Sequence, residues 1–137
     1  MGTGHTVFVY GTLKRGFPNH KFLDGARLLG LAQTVAAYPM LVQGQYFSPA
    51  LLPEPGQGHR ITGELWQVDE AKLAELDALE TTHLPTGYIR EMIDIERDGA
   101  RARAWTYFKP RDRVKIVHSQ PIADYQDRRY VPSWERR

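Results

Sequence analysis

The chain alternates between short stretches rich in β-branched and aromatic residues and clusters of turn residues. The stretches that predict strands are His5–Tyr10, Ala26–Ala37, Met40–Val42, Ile61–Val68, Ile89–Glu96 and Ala102–Phe108. Asp98-Gly99 stands between the last two, and this dipeptide is a strong hairpin signal. Proline and glycine residues between positions 49 and 58 predict turns. The pattern therefore indicates many short strands joined by turns and hairpins.

One helix is clear in the pattern. It begins after Asp69, a good N-cap residue, and runs to Glu80 through strong helix formers, with acidic residues in its first turn. A second, short helix is predicted over Asn19–Leu23 and ends before Gly25. Many strands with one clear helix predict an α+β domain whose mostly antiparallel or mixed sheet curls into a barrel.

Composition and charge narrow the class of protein. The 137 residues are 42% hydrophobic and 25% charged, which predicts one compact domain over residues 1–137. The absence of cysteine excludes disulfides and fits a reducing compartment. No apolar run approaches the roughly 20 residues of a membrane span, and the N-terminus lacks a signal-peptide pattern. We therefore expect a soluble, cytoplasmic protein without a membrane partner.

The C-terminal quarter differs from the rest, because basic residues accumulate there, namely Arg111, Arg113, Lys115, Arg128, Arg129, Arg136 and Arg137. Its last segment, 125–137, combines such arginines with Tyr125, Tyr130 and Trp134. Two interpretations are open: a solvated basic tail, or a lid over an anionic ligand. Elsewhere acidic and basic residues are interleaved and the formal net charge is only +2, so no nucleic-acid partner is expected.

Most signatures of catalytic chemistry are missing. There is no cysteine nucleophile, no serine lies in a Gly-x-Ser-x-Gly context, and the five histidines show no metal-ligand spacing. Neither a dinucleotide fingerprint nor a phosphate-binding loop ending in Gly-Lys-Ser or Gly-Lys-Thr is present. We therefore expect no metal and no nucleotide cofactor, which leaves acid–base chemistry by carboxylates.

Glu80 is the candidate carboxylate because of its place on the predicted helix. At about 100° per residue it lies about 20° from Leu73 and about 40° from Leu76, on the apolar face that also holds Leu79. An inward carboxylate would be desolvated and have a raised pKa, as a proton shuttle needs. The alternative is an ordinary helix-end glutamate that turns outward to water.

The loop after the first strand is the second candidate. Gly11 and Gly16 allow backbone angles closed to other residues, so the amides between them can converge on an anionic group or a polarised carbonyl. The alternative is a glycine-bounded turn without chemical function.

These residues carry a family resemblance. Residues 7–20, VFVYGTLKRGFPNH, resemble the opening of γ-glutamylamine cyclotransferases within the γ-glutamylcyclotransferase-like (AIG2-like) family. Residues 76–80 resemble the segment that ends in the family's catalytic glutamate, Tyr88 lies where an aromatic follows it, and residues 129–132 resemble the C-terminal tail motif. The loop between Glu80 and Tyr88 differs in length, which bears on substrate preference.

The resemblance implies a small mixed β-barrel of six or so strands with flanking helices, and no cofactor. The substrate's own α-amine would attack its γ-carbonyl, giving 5-oxoproline and a free amine, so the enzyme would need no nucleophile. Glu80 would be the catalytic residue that moves the protons. The substrate-binding residues implied are Tyr10, Gly11, Thr12, Leu13 and Tyr88. Of these, Tyr10 and Tyr88 are expected to shape the pocket rather than to transfer protons.

Alternatives remain at this point. One is a γ-glutamyl amidohydrolase on the same fold, which would use water and yield glutamate. Another is a non-catalytic module that binds a small molecule or a protein. The amine of a γ-glutamyl substrate could be a lysine side chain, a polyamine, an aminoglycoside-like intermediate or an ordinary amino acid. The sequence does not indicate the oligomeric state.

Overall fold

The computed structural model describes residues 4–136. Its strands are β1 (His5–Val9), β2 (Arg27–Tyr38), β3 (Met40–Gln43), β4 (Ser48–Leu51), β5 (His59–Val68), β6 (Ile89–Arg97) and β7 (Ala100–Phe108). One α-helix, α1 (Glu70–Leu79), follows β5. Short 3₁₀ helices cover Pro18–Leu23, Arg111–Arg113 and Ser133–Glu135. No helix among these residues reaches the length and apolarity that a membrane crossing needs.

Five strands close into a barrel in the order β1-β5-β2-β6-β7. β1 runs antiparallel to β5 and parallel to β7, where Val7 lies opposite Trp105, so the barrel is mixed. The prediction of a small mixed α+β barrel with flanking helices is confirmed. The barrel has five strands, rather than about six, because β3 and β4 lie in a separate two-stranded sheet.

Local signals explain several element boundaries. Asp69 caps α1, since its side-chain Oδ1 accepts a hydrogen bond of 2.8 Å from the Lys72 N–H. Asp98 and Gly99 both have positive φ angles, 52° and 77°, as the tight hairpin between β6 and β7 requires. The predicted short helix is present as the 3₁₀ helix Pro18–Leu23.

The core has two main parts on opposite faces of β1. Phe8 belongs to the cluster inside the barrel, whereas Val7 and Val9 belong to a cluster with Leu73 and Leu76 of α1. This division follows from the strand geometry, because successive side chains point to opposite faces. As a result α1 packs on the outside of the barrel beside β1, and the two carry their carboxyl ends to one cavity.

Candidate active site

A cavity of about 500 Å³ lies at the carboxyl end of β1. Its walls include the loop after β1, the turn between β3 and β4, the ends of α1 and β7, and the C-terminal segment. The structure places all of the predicted site residues on this cavity, namely Tyr10, Gly11, Thr12, Leu13, Glu80 and Tyr88. Their roles in binding and catalysis stay predictions.

Glu80 is the C-terminal cap of α1 rather than a residue within it. Its N–H donates to the Leu76 carbonyl at 2.9 Å, and its own carbonyl accepts from the Tyr88 N–H at 3.0 Å. Thr81 then turns the chain with a φ of 52°. Because its backbone is fixed on both sides, the half-buried side chain is held against the cavity.

Burial raises the pKa of the Glu80 carboxyl to about 7, and the Lys109 ammonium at the end of β7 opposes this rise. The pKa of Lys109 is itself lowered, chiefly by burial, while Glu80 acts in the opposite direction. Burial also raises the pKa of Tyr88 well above its ordinary value, with the Glu80 charge adding to the effect. Glu80 can therefore gain and lose a proton near neutral pH, whereas Tyr88 stays protonated.

Tyr10 and Tyr88 act as fixed walls of the cavity. The Tyr10 hydroxyl donates to the Tyr107 carbonyl, and the Tyr88 hydroxyl donates to the Pro49 carbonyl at 2.6 Å. Burial raises the pKa of Tyr10 well above its ordinary value, with Tyr88 and Glu80 adding to it. Both rings are thus held by backbone acceptors in the protonated form.

The loop after β1 presents three backbone donors. The N–H groups of Gly11, Thr12 and Leu13 take part in no hydrogen bond within residues 4–136, although all three residues are buried and line the cavity. The loop itself is anchored, because the buried Lys14 ammonium pairs with Asp124 at 2.7 Å. These donors are available to an acceptor that lies in the cavity.

The reason for glycine at position 11 differs from the expected one. Gly16 has a positive φ of 87°, but Gly11 does not adopt a positive φ. The expectation of a special backbone angle at Gly11 is therefore wrong. Instead a Cβ atom there would lie 2.4 Å from Cγ of Pro49, so the close approach of β4 to the loop excludes a side chain.

The C-terminal segment packs over the cavity as far as Arg136, and Arg137 lies outside the described residues. The Tyr130 hydroxyl accepts a hydrogen bond from Asn19 Nδ2 at 2.9 Å, and Tyr130 and Arg136 line the cavity. The Lys21 ammonium lies 3.5 Å from the centre of the Trp134 ring. A freely solvated tail is therefore wrong for residues 125–136, and a packed cover is the better description.

Lys109 and Asn19 also line the cavity, and the sequence did not indicate a role for either. Lys109 follows β7, and only the pairing of β7 with β1 brings it near Glu80, so no local pattern indicates it. Asn19 lies within the motif of residues 7–20, and its place in that motif, shortly after the loop, is the sequence signal that could have indicated it. No group of His, Asp and Glu side chains in the described part of the chain is arranged to hold a metal ion.

Comparison with known proteins agrees with this geometry. The family model "Gamma-glutamyl cyclotransferase, AIG2-like" matches residues 7–128. A γ-glutamylaminecyclotransferase from Bos taurus is 37% identical over 95% of this chain and 83% of the relative. A putative γ-glutamylcyclotransferase from Drosophila melanogaster is 43% identical over 88% of this chain and 80% of the relative.

Solved structures give the same result. The crystal structure of an AIG2-like protein from Mus musculus superposes with a TM-score of 0.83 and 31% identity, over 97% of this chain and 99% of the mouse chain. The sequence match and the fold thus point to one family. The chain belongs to the AIG2-like γ-glutamyl cyclotransferases, as its opening motif predicts.

Proposed function

We propose that this protein is a γ-glutamylamine cyclotransferase, which converts a γ-glutamyl amide into 5-oxoproline and a free amine. The observation that carries the proposal is the cavity itself. Among residues 4–136, its lining includes one carboxyl group, Glu80, with a pKa of about 7, together with a loop that has three unpaired backbone donors. Relatives with this name share more than a third of their aligned residues with this chain.

Glu80 is the proton carrier in this proposal. The substrate's α-ammonium gives a proton to the Glu80 carboxylate, and the resulting amine attacks the γ-carbonyl carbon. The C–N bond to the leaving amine then breaks. Over the whole reaction the attacking nitrogen loses two protons and the leaving nitrogen gains two, so Glu80 takes up and returns each proton and ends unchanged. A pKa of about 7 lets it act as both base and acid near neutral pH.

The loop stabilises the charge that develops on the γ-carbonyl oxygen. When the nitrogen attacks, this oxygen becomes negative, and preformed N–H donors stabilise it without reorganisation. Gly11, Thr12 and Leu13 provide such donors. Holding the folded glutamyl chain between the loop and Glu80 also keeps the amine close to its carbonyl, which removes much of the entropic cost of ring closure.

The charges at the cavity mouth bear on which amine leaves. Lys115 and Arg136 are exposed lining residues, and no carboxylate among residues 4–136 forms a salt bridge with either. Lys109 adds a third cation deeper in the cavity. This positive field opposes the binding of a polyamine conjugate. It favours a leaving amine that carries a carboxylate, such as an amino acid, free lysine included.

The proposal extends to the domain organisation, the cofactor requirement and the cellular compartment. The chain acts as a single domain over residues 1–137 on a small-molecule substrate, without a cofactor, in the cytoplasm. The lack of cysteine suits that compartment.

A screen of γ-glutamyl amines tests the function. The panel contains γ-glutamyl conjugates of lysine at its Nε, of ordinary amino acids and of a polyamine, and mass spectrometry measures 5-oxoproline and glutamate. We expect 5-oxoproline from the carboxylate-bearing amines and at least ~10²-fold less of it with Glu80→Gln. Glutamate as the product would indicate an amidohydrolase, and the absence of any turnover across the panel would favour a binding module.

A further inference from the structure

Asn19 carries a buried acceptor that no protein group satisfies. The residue is only 5% exposed and lines the cavity. Its Nδ2 donates to Thr12 Oγ1 and to the Tyr130 hydroxyl, each at 2.9 Å. Its Oδ1, in contrast, has no hydrogen-bond partner among residues 4–136.

An unsatisfied buried acceptor destabilises the fold, so such an atom calls for an explanation. One other buried side-chain atom in the described part of the chain lacks a partner, Arg90 Nη1, but Arg90 does not line the cavity. Asn19 Oδ1 is thus the unpaired atom whose residue borders the space that a substrate would fill. A donor on the substrate would remove the cost.

The Asn19 side chain is held from two sides before any ligand binds. Thr12 holds it from the loop and Tyr130 holds it from the C-terminal segment. The Asn19 N–H also donates to the Thr12 carbonyl at 3.0 Å, which ties its backbone to the loop. Because both Nδ2 hydrogens are used in this arrangement, Oδ1 is left as the acceptor without a partner. It has less than 1 Å² of exposed surface, so a ligand reaches it when the cavity wall shifts around it.

The chemistry of a γ-glutamyl amide limits what can reach this acceptor. Its α-carboxylate and γ-carbonyl only accept hydrogen bonds, and the loop donors suit them. Its donors are the α-ammonium and the amide N–H. The ammonium has three hydrogens and forms the stronger, charge-assisted bond. Its three hydrogens allow it to donate to Asn19 and to a second acceptor.

We propose that Asn19 Oδ1 binds the α-ammonium group of the γ-glutamyl substrate and so positions the nitrogen that attacks the γ-carbonyl. The proposal rests on the proposed function, and it makes Asn19 a substrate-binding residue. It also gives Tyr130 a role: the C-terminal segment helps to hold Asn19 in place, so closure of that segment and recognition of the ammonium are coupled.

The test compares two ligands that differ only in the α-amine, γ-glutamyl propylamide and glutaryl propylamide. Calorimetry measures both dissociation constants in Glu80→Gln, where turnover is suppressed, with and without Asn19→Leu. We expect Asn19→Leu to weaken binding of the γ-glutamyl ligand by ~10-fold or more and that of the glutaryl ligand by less than ~3-fold. Equal weakening of both ligands would show that Asn19 only supports the structure, and the proposal would be wrong.

Asn19→Asp is the second variant, because the Thr12 and Tyr130 hydroxyls can rotate to donate to the carboxylate and keep the packing. Its added charge should increase the preference for the γ-glutamyl ligand over the glutaryl ligand, whatever the stability of Asn19→Leu. An unchanged or smaller preference contradicts the proposal. Turnover by the unaltered protein separates failure of the proposed function from failure of the Asn19 assignment. If no γ-glutamyl amine yields 5-oxoproline, both proposals fail. If turnover is normal but the ligand preference of the Asn19 variants is unchanged, only the Asn19 assignment is refuted.

Discussion

Replacing Glu80 with Gln should make the protein more stable and less active, and the gain in stability should depend on pH. The substitution keeps the shape of the side chain but removes its ionisation. In the folded protein the Glu80 carboxyl has a pKa of about 7, compared with an ordinary value of 4.5. Between these two pH values the folded protein binds a proton that the unfolded chain has released, so the stability of the unaltered protein falls as pH rises.

The size of the effect follows from the two pKa values. Each pKa unit corresponds to about 1.4 kcal/mol, so the difference between 4.5 and about 7 corresponds to about 3 kcal/mol. Partial exposure of the side chain to water in the cavity screens part of this penalty, and we expect about 2 kcal/mol. The free energy of unfolding of Glu80→Gln should therefore exceed that of the unaltered protein by about 2 kcal/mol at pH 8 and by almost nothing at pH 4.

Urea denaturation at several pH values between 4 and 8 measures this difference directly. Glu75→Gln is the matched control, since Glu75 lies on the same helix and its side chain is 60% exposed. That variant should change the free energy of unfolding little at any pH. A difference between Glu80→Gln and the unaltered protein that stays constant from pH 4 to pH 8 would refute the raised pKa. Near-normal turnover in Glu80→Gln would refute the catalytic assignment.

Three further predictions concern the surroundings of Glu80. Lys109→Met removes the cation that opposes the rise of the Glu80 pKa, so the acidic limb of the kcat/KM profile should move to higher pH; an unmoved limb contradicts this. The valine side chain of Gly11→Val should collide with Pro49 and lower turnover by ~10²-fold. Adding Pro49→Ala should restore part of the activity, whereas full activity of Gly11→Val alone would show that the loop is not part of the site. Truncation after Gln126 should raise KM and lower the free energy of unfolding by about 1–3 kcal/mol in kinetic and urea assays, whereas no change in either would exclude a role for the segment.

The site holds a buried charge, that of Glu80, which is compensated only in part. A carboxyl group held in a buried position destabilises the fold when it ionises, and Lys109 offsets only part of that cost. Asn19 Oδ1 adds a second unfavourable feature, an acceptor without a protein partner. Both belong to residues that line the same cavity, which is where strained or unsatisfied groups are expected when they serve a ligand.

The sequence determined the features that depend on neighbours along the chain. The cap at Asp69, the helix that follows it and the hairpin at Asp98-Gly99 all have signals within a few residues. The motif of residues 7–20 likewise identified the family, and with it the barrel and the reaction class. Such features follow from short-range backbone preferences and hydrophobic periodicity, which one segment carries on its own.

Only the tertiary structure decided which distant residues meet. Asn19 and Tyr130 are hydrogen-bonded across 111 positions, and the Lys109 charge acts on Glu80 because β7 closes the barrel against β1. The need for glycine at position 11 is also a tertiary effect, since it comes from Pro49 on another strand. These contacts depend on the closure of the barrel and on the packing of β4 beside the loop. No single segment encodes either, because each arises from the simultaneous burial of several segments.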